Sequence, residues 1–106
     1  MRFEVKQSFV KSLKKLENKY RHIKNDLRPI LMELEQNPTA GVAIPGFANL
    51  IWKIRVNSSD MKRGKSGGFR LIYALKEREK LIVLLLLYAK SDQEDVTVAQ
   101  IKKLLE

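Results

Sequence analysis

The sequence has no cysteine and a single histidine, His22. The lack of cysteine excludes disulfide bonds, a cysteine nucleophile and thiolate zinc sites, and one histidine cannot form a histidine cluster. We therefore predict no metal site and no cofactor. The one apolar run, residues 81–87, is too short to cross a bilayer. The first residues contain no apolar signal segment, so we expect a cytoplasmic protein that does not associate with a membrane.

The length of 106 residues permits one small domain, which we assign to residues 1–106. With 44% hydrophobic and 31% charged residues, the composition is too apolar for a disordered basic tail and too polar for a membrane bundle. The formal net charge is +9. We therefore expect a globular domain with a hydrophobic core and a polyanionic partner.

The positive charge is concentrated in one part of the chain. Between residues 53 and 70, six cations are opposed only by Asp60. A cluster of positive charges destabilises a compact fold unless an anion neutralises it. Glycines at 64, 67 and 68 place part of this cluster in a loop that a ligand can approach closely. A phosphate-rich ligand is therefore the leading hypothesis, with a solvated basic face as the alternative.

The N-terminal part has the periodicity of a strand followed by helices. Residues 2–6 alternate polar and apolar, which is typical of a short, half-buried strand. After Ser8, a residue type favoured at N-caps, apolar side chains recur at steps of three and four as far as Leu27. Because Pro29 is poorly tolerated inside a helix, we predict a break near residues 25–28 and then a second helix, with a single kinked helix as the alternative.

The C-terminal part is predicted to hold three strands and a last helix. Residues 39–49 lack periodicity and are predicted to form a connecting loop. The last helix is predicted to begin at Thr97. Strands are predicted where β-branched and aromatic residues concentrate, at 50–56, 69–75 and 81–88. The order β-α-α-β-β-β-α indicates an α+β domain, in which a helical hairpin packs on a mainly antiparallel four-stranded sheet.

Three segments of the sequence, in this order, resemble the RelE/ParE toxin superfamily, and most closely its HigB-type branch: Lys53-Ile54-Arg55-Val56, Gly64-Lys65-Ser66-Gly67-Gly68-Phe69-Arg70-Leu71-Ile72-Tyr73 and Tyr88-Ala89-Lys90-Ser91-Asp92. The resemblance implies a RelE-like fold and the toxin of a bacterial or archaeal type II toxin–antitoxin system. Members of the RelE and HigB kind enter the ribosomal A site and cut mRNA there. The implied partners are the ribosome, mRNA and a cognate antitoxin of helix-turn-helix DNA-binding type, through which alone operator DNA would be contacted.

Cutting RNA without a metal uses the substrate's own 2′-hydroxyl group. A base takes the proton of this hydroxyl, cations stabilise the phosphorane, and an acid protonates the leaving 5′-oxygen. We predict a structural role for His22, so lysine, arginine and tyrosine are left for these tasks. Neighbouring cations disfavour one another's charged forms, which lowers the pKa of a lysine within such a cluster.

Strand parity and the resemblance select the cations. Lys53 and Arg55 are two positions apart and project from one strand face, and they match the family's pair of basic strand residues. Arg70 matches the arginine of the family's Gly-aromatic-Arg motif, and we assign phosphate stabilisation to it because its planar guanidinium suits phosphate oxygens. Lys53 is the first choice of general base and Lys65 the second. The predicted contacts to the RNA backbone are Arg55, Lys62 and Arg63.

The end of the last strand differs from the RelE pattern. RelE-like chains carry an arginine and then a tyrosine there, whereas residues 90–97 contain no arginine. We infer Tyr88 or Lys90 as the substitute, with Tyr88 as a proton donor and Lys90 otherwise as a further phosphate contact. The alternative for Tyr88 is a core aromatic with its hydroxyl at the edge. The acids Asp92, Glu94 and Asp95 are predicted to cap and start the last helix through its dipole.

Two other functions remain open at this point. A ParE-like toxin would inhibit DNA gyrase without catalysing a reaction. A basic nucleic-acid-binding module without toxicity would also be compatible with the net charge of +9.

Overall fold

The computed structural model describes residues 1–61 and 67–106. Within these residues the chain forms one five-stranded sheet with the order β1-β5-β4-β3-β2. Neighbouring strands are antiparallel, except that β1 runs parallel to β5. The predicted α+β class and mainly antiparallel sheet are confirmed. The strand bounds are β1 (Arg2–Val5), β2 (Val42–Ala43), β3 (Ile51–Val56), β4 (Phe69–Lys76) and β5 (Leu81–Ala89).

In the described part of the chain, three α-helices cover the two faces of the sheet: α1 (Gln7–Glu17), α2 (Ile23–Gln36) and α3 (Val98–Leu104). One face packs against α1 and α2, with Phe69, Tyr73 and Leu84 among its buried side chains. The other face packs against α3 and the chain before β3, with Ile72 and Ile101 among its buried side chains. In residues 1–61 and 67–106, no helix has the length and apolar character needed to span a membrane.

The interior strand β5 is buried along most of its length because it has neighbours on both faces and along both edges. Beyond the end of β1, serine hydroxyl groups of α1 form hydrogen bonds with the backbone of β5. Ser8 Oγ donates to the Leu85 carbonyl at 2.6 Å, and the Leu87 N–H donates to Ser12 Oγ at 3.0 Å. Ser8 is therefore not the N-cap of α1. Lys6 holds the N-cap position, and its side chain makes no capping hydrogen bond.

The predicted position of the helix break is wrong. Pro29 lies inside α2, and the break falls between the end of α1 at Glu17 and the start of α2 at Ile23. The backbone N–H of His22 donates to Asp60 Oδ2 at 2.8 Å, so a carboxylate 38 positions away in the sequence accepts the hydrogen bond at the start of α2. The helix continues through Pro29 because apolar side chains on both sides of it, Leu27 and Leu34, are buried in the core.

The sheet has five strands, whereas four were predicted. The additional strand, β2, lies within the segment predicted as a connecting loop. Val42 and Ala43 pair with Lys53 and Trp52. Two residues are too few to show an alternating pattern, so tertiary pairing alone defines this strand. The predicted start of the last helix is confirmed, since Thr97 caps α3 in a capping box with Gln100.

The Tyr73 hydroxyl is buried beneath the chain that leads into β2. It donates to the Pro38 carbonyl at 2.8 Å and accepts from the Gly41 N–H at 3.3 Å. Burial raises the pKa of Tyr73 to about 12. Because the hydroxyl keeps its proton more firmly in the folded state, its contribution to stability is complete below the unfolded pKa near 10 and is lost as the pH rises towards 12.

We therefore expect the free energy of unfolding to fall between pH 10 and pH 12, and Tyr73→Phe to remove part of this fall. The measurement is urea unfolding of both proteins at neutral and at alkaline pH. Taking the difference between the two proteins cancels the titration of the lysines. A constant difference across this pH range would contradict the assignment to Tyr73.

Candidate nucleic-acid interface

The register of the three long strands places charged side chains in one row across the sheet. Arg55 on β3 lies directly opposite Arg70 on β4, and Arg70 lies opposite Tyr88 on β5. Lys53 is two positions from Arg55 on the same strand face, as predicted. We call the surface formed by Lys53, Arg55, Arg70 and Lys90 the basic face. It shares its side of the sheet with α3.

The basic face stays accessible although apolar side chains beside it are buried. Arg55 is exposed, Arg70 and Lys90 are half-buried, and the Lys53 side chain keeps 30% of its exposure. Like charges placed directly opposite on neighbouring strands destabilise a sheet. The Arg55 and Arg70 pair therefore makes an unfavourable contribution that a bound anion would reverse.

Backbone carbonyls orient the guanidinium group of Arg70. Its Nη1 donates to the carbonyl oxygen of Gly67, and to that of Phe69 at 3.1 Å. A Cβ atom on Gly67 would lie 3.0 Å from Arg70 Nη2 and 3.3 Å from the Lys90 side chain. Glycine at position 67 thus leaves room for the side chains of both Arg70 and Lys90.

Returning the chain to β4 requires a second glycine. Gly68 has φ +71, and a Cβ atom there would lie 2.4 Å from the Val56 carbonyl oxygen. The Lys90 N–H donates to the Gly68 carbonyl at 3.0 Å, which fixes the end of β5 to the same turn. The turn therefore links the backbones that carry Arg70 and Lys90.

Lys53 makes an ion pair that the sequence analysis did not predict. Its Nζ donates to Asp95 Oδ1 at 3.0 Å, and the same oxygen accepts the Val96 N–H at 2.8 Å. The hydrogen bond from Lys53 is the main reason that the pKa of Asp95 lies below its usual range. The predicted role of Asp95 at the start of α3 is thus incomplete, because Thr97 supplies the cap and Asp95 faces Lys53.

Tyr88 lies in the core layer beneath α3, with 6% of its surface exposed. Its hydroxyl is buried and has no hydrogen-bond partner among the residues that the structure describes. Burial, followed by the negative charge of Asp95, raises the pKa of Tyr88, whereas the charge of Arg70 lowers it. The hydroxyl therefore keeps its proton at neutral pH, and it is buried in this structure.

The start of the loop after β3 is fastened to α2 by reciprocal hydrogen bonds. Asp60 Oδ1 lies 2.7 Å from His22 Nδ1, and Asp26 Oδ2 accepts from the Ser59 N–H at 2.9 Å. The hydrogen bond from His22 is the main cause that lowers the pKa of Asp60. His22 thus has the structural role that was predicted for it. The predicted residues Lys62, Arg63 and Lys65 lie outside the described residues.

No local pattern in the sequence predicts that Asp95 pairs with a cation of the basic face. Asp95 and Lys53 are 42 positions apart, and the acids at 92, 94 and 95 look alike as a group preceding a helix. In the described residues no group of three or more potential metal ligands of the His, Cys, Asp and Glu types occurs.

Comparison with known proteins identifies the fold. No family model matches the sequence. Among solved structures, the chain is similar to a double arginine-to-alanine mutant of E. coli toxin RelE in the free state, with a TM-score of 0.61 and 20% sequence identity. The similarity covers 88% of this chain and 86% of that chain. The fold is therefore that of a RelE-like toxin.

Replacing Arg55 tests the charge repulsion between Arg55 and Arg70 on the basic face. We expect Arg55→Gln to raise the free energy of unfolding at low ionic strength by roughly 0.2–1 kcal/mol, because the charge opposite Arg70 disappears. Urea unfolding at low and high salt measures this gain, which should shrink as salt screens the pair. The matched control is Arg78→Gln, since Arg78 is an exposed arginine in the turn between β4 and β5. An equal gain in both variants would contradict the pairwise repulsion.

Proposed function

We propose that this chain is the toxin of a type II toxin–antitoxin system, of the HigB-type branch, and that it acts in the cytoplasm as a ribosome-dependent mRNA endoribonuclease. The observation that carries the proposal is the convergence of Lys53, Arg55, Arg70 and Lys90 on one accessible sheet face. The RelE-like fold supports it, as does the resemblance of the segments that supply these residues.

The chemistry divides among the side chains by type. Arg70, held in place by two carbonyl groups, suits the phosphorane oxygens. Arg55 and Lys90 flank it and hold the backbone of the RNA, and Lys62 and Arg63 are proposed to extend this contact. Phosphate contacts of this kind position the nucleic acid without reading its sequence.

The proton transfers require a base and an acid besides Arg70. Lys53 or Lys65 removes the proton of the 2′-hydroxyl, whose oxygen attacks phosphorus to form a 2′,3′-cyclic phosphate. Tyr88 donates its proton to the 5′-oxygen that leaves. Its raised pKa keeps the phenol protonated at neutral pH, which this task requires. Lys53 must first leave Asp95 and give up one proton to solvent, because a base needs a free lone pair on Nζ.

The same cations define the partners of the toxin. The ribosome and mRNA present phosphate groups to the basic face. The cognate antitoxin, proposed to be of helix-turn-helix type, neutralises the toxin with acidic and apolar side chains and links it to operator DNA. Binding through exposed charges weakens as the salt concentration rises.

Expression of the chain alone from a tightly controlled promoter tests the function. We expect arrest of translation, with mRNA cut at codon boundaries, and relief of the arrest when the antitoxin encoded beside it is co-expressed. A DNA-damage response without mRNA cleavage would instead indicate a gyrase inhibitor. Normal growth would indicate a nucleic-acid-binding module.

Removing Arg70 should abolish cleavage while leaving the protein folded. We expect Arg70→Ala to lower the cleavage rate by about 10²–10³-fold, the usual effect of deleting one group that stabilises a transition-state anion. Rates are measured in a translating extract, with circular dichroism as the check of folding. Arg78→Ala makes the same substitution at the far end of β4 and should cleave normally. Full activity of folded Arg70→Ala would refute the assignment.

The variant Lys53→Arg shows whether Lys53 acts as a base or only binds RNA through its positive charge. Arginine keeps the positive charge but does not act as a base near neutral pH. We expect RNA binding within about twofold of the wild type and a cleavage rate reduced by about 10²-fold or more, as for loss of a general base. Retained cleavage by Lys53→Arg would transfer the role of base to Lys65, which Lys65→Arg then tests.

A further inference from the structure

In the described parts of the chain, Asp95 is the acid that pairs with a cation of the basic face. Its Oδ1 is held from two sides, by Lys53 Nζ at 3.0 Å and by the Val96 N–H at 2.8 Å. The segment that carries it runs from the end of β5 to α3, which packs Ile101 on the same side of the sheet. The backbone therefore presents this carboxylate to the basic face.

The electrostatic surroundings of Asp95 are those that suit a phosphate oxygen. The hydrogen bond from Lys53 first, and then the Val96 N–H and the charges of Lys53 and Lys90, hold the pKa of Asp95 below its usual range. The carboxylate is thus ionised at neutral pH. Its charge also acts on the buried Tyr88. One internal anion therefore interacts with a proposed base, a proposed phosphate contact and a proposed acid.

We propose that Asp95 occupies, in the free protein, the position on Lys53 that a phosphate group of RNA takes, so that RNA must displace this carboxylate to bind. The proposal rests on the proposed function, and it identifies the Lys53 end of the basic face as a phosphate subsite. Asp95 acts there as an internal competitor.

The exposure of the pair decides how strong this competition is. The side chains of Lys53 and Asp95 keep 30% and 62% of their exposure. Ion pairs open to solvent are weak, so the carboxylate lowers the affinity for RNA without blocking the site. An RNA strand also contacts Arg55, Arg70 and Lys90, which Asp95 does not pair with.

Displacing Asp95 does not require α3 to leave the sheet. Thr97 caps the start of this helix, and Lys6 Nζ donates to the carbonyls of Leu104 and Glu106 at 2.7 and 3.0 Å at its end. Ile101 is fully buried between these two points. A rotation of the Asp95 side chain is therefore sufficient to free Lys53.

The test is the affinity of the full chain for a fluorescent single-stranded RNA whose 2′-hydroxyl groups are methylated, so that it cannot be cut. We expect Asp95→Asn to bind it about two- to fivefold more tightly, the range that corresponds to loss of one exposed ion pair. Asparagine keeps an oxygen for the Val96 N–H, and thermal unfolding checks that the fold is intact.

Two controls separate local competition from net charge. Glu94→Gln removes one negative charge from the neighbouring position, which forms no ion pair with the residues that the structure describes, and should change the affinity less than Asp95→Asn does. In a Lys53→Ala background, Asp95→Asn should bring no gain, because the cation that it frees is absent.

An affinity of Asp95→Asn equal to or below that of the wild type would overturn the proposal, as would an equal gain from Glu94→Gln or a gain that persists without Lys53. These outcomes leave the proposed function standing if the wild type cuts mRNA on ribosomes. A wild type that binds RNA with the expected coupling between Asp95 and Lys53, but cuts no mRNA, would overturn the nuclease proposal and support the subsite.

Discussion

The pairing register of β3, β4 and β5 is the constraint on which the rest of the site depends. It sets Arg55, Arg70 and Tyr88 in one row on one face, while the alternate positions of the same strands build the core under α1 and α2. A slip of one residue in a strand would exchange these two faces and move charged side chains into the core. The hydrophobic core therefore fixes the register, and the register in turn fixes the positions of the cations.

The face that bears the cations is shared with a second, smaller core. Near one end of the row, α3 buries Ile101 against the sheet and covers Tyr88, while Arg55 remains exposed. Asp95 lies at the boundary between these two regions, where it pairs with Lys53. Packing of α3 and the electrostatics of the basic face are thus coupled through a single short segment after β5.

Several features of the fold followed from local patterns. The α+β class, the three long strands and the start of α3 were predicted because strand-type composition and helical periodicity are signals within a few residues. The placement of Lys53 and Arg55 on one face followed from strand parity. The position of the break between α1 and α2 did not follow from local patterns. Asp60, which accepts the hydrogen bond at the start of α2, is 38 positions away, and core packing allows the helix to continue through Pro29.

The sequence by itself determined which side chains carry charge, which strand faces they occupy and where α3 begins, since each of these depends on residue type and on a period of two or about 3.6. Only the tertiary structure decided which strands are neighbours, that Arg70 lies between Arg55 and Tyr88, and that Asp95 reaches Lys53. These arrangements join residues far apart in the chain. They are set by the burial of both sheet faces together, which no local pattern encodes.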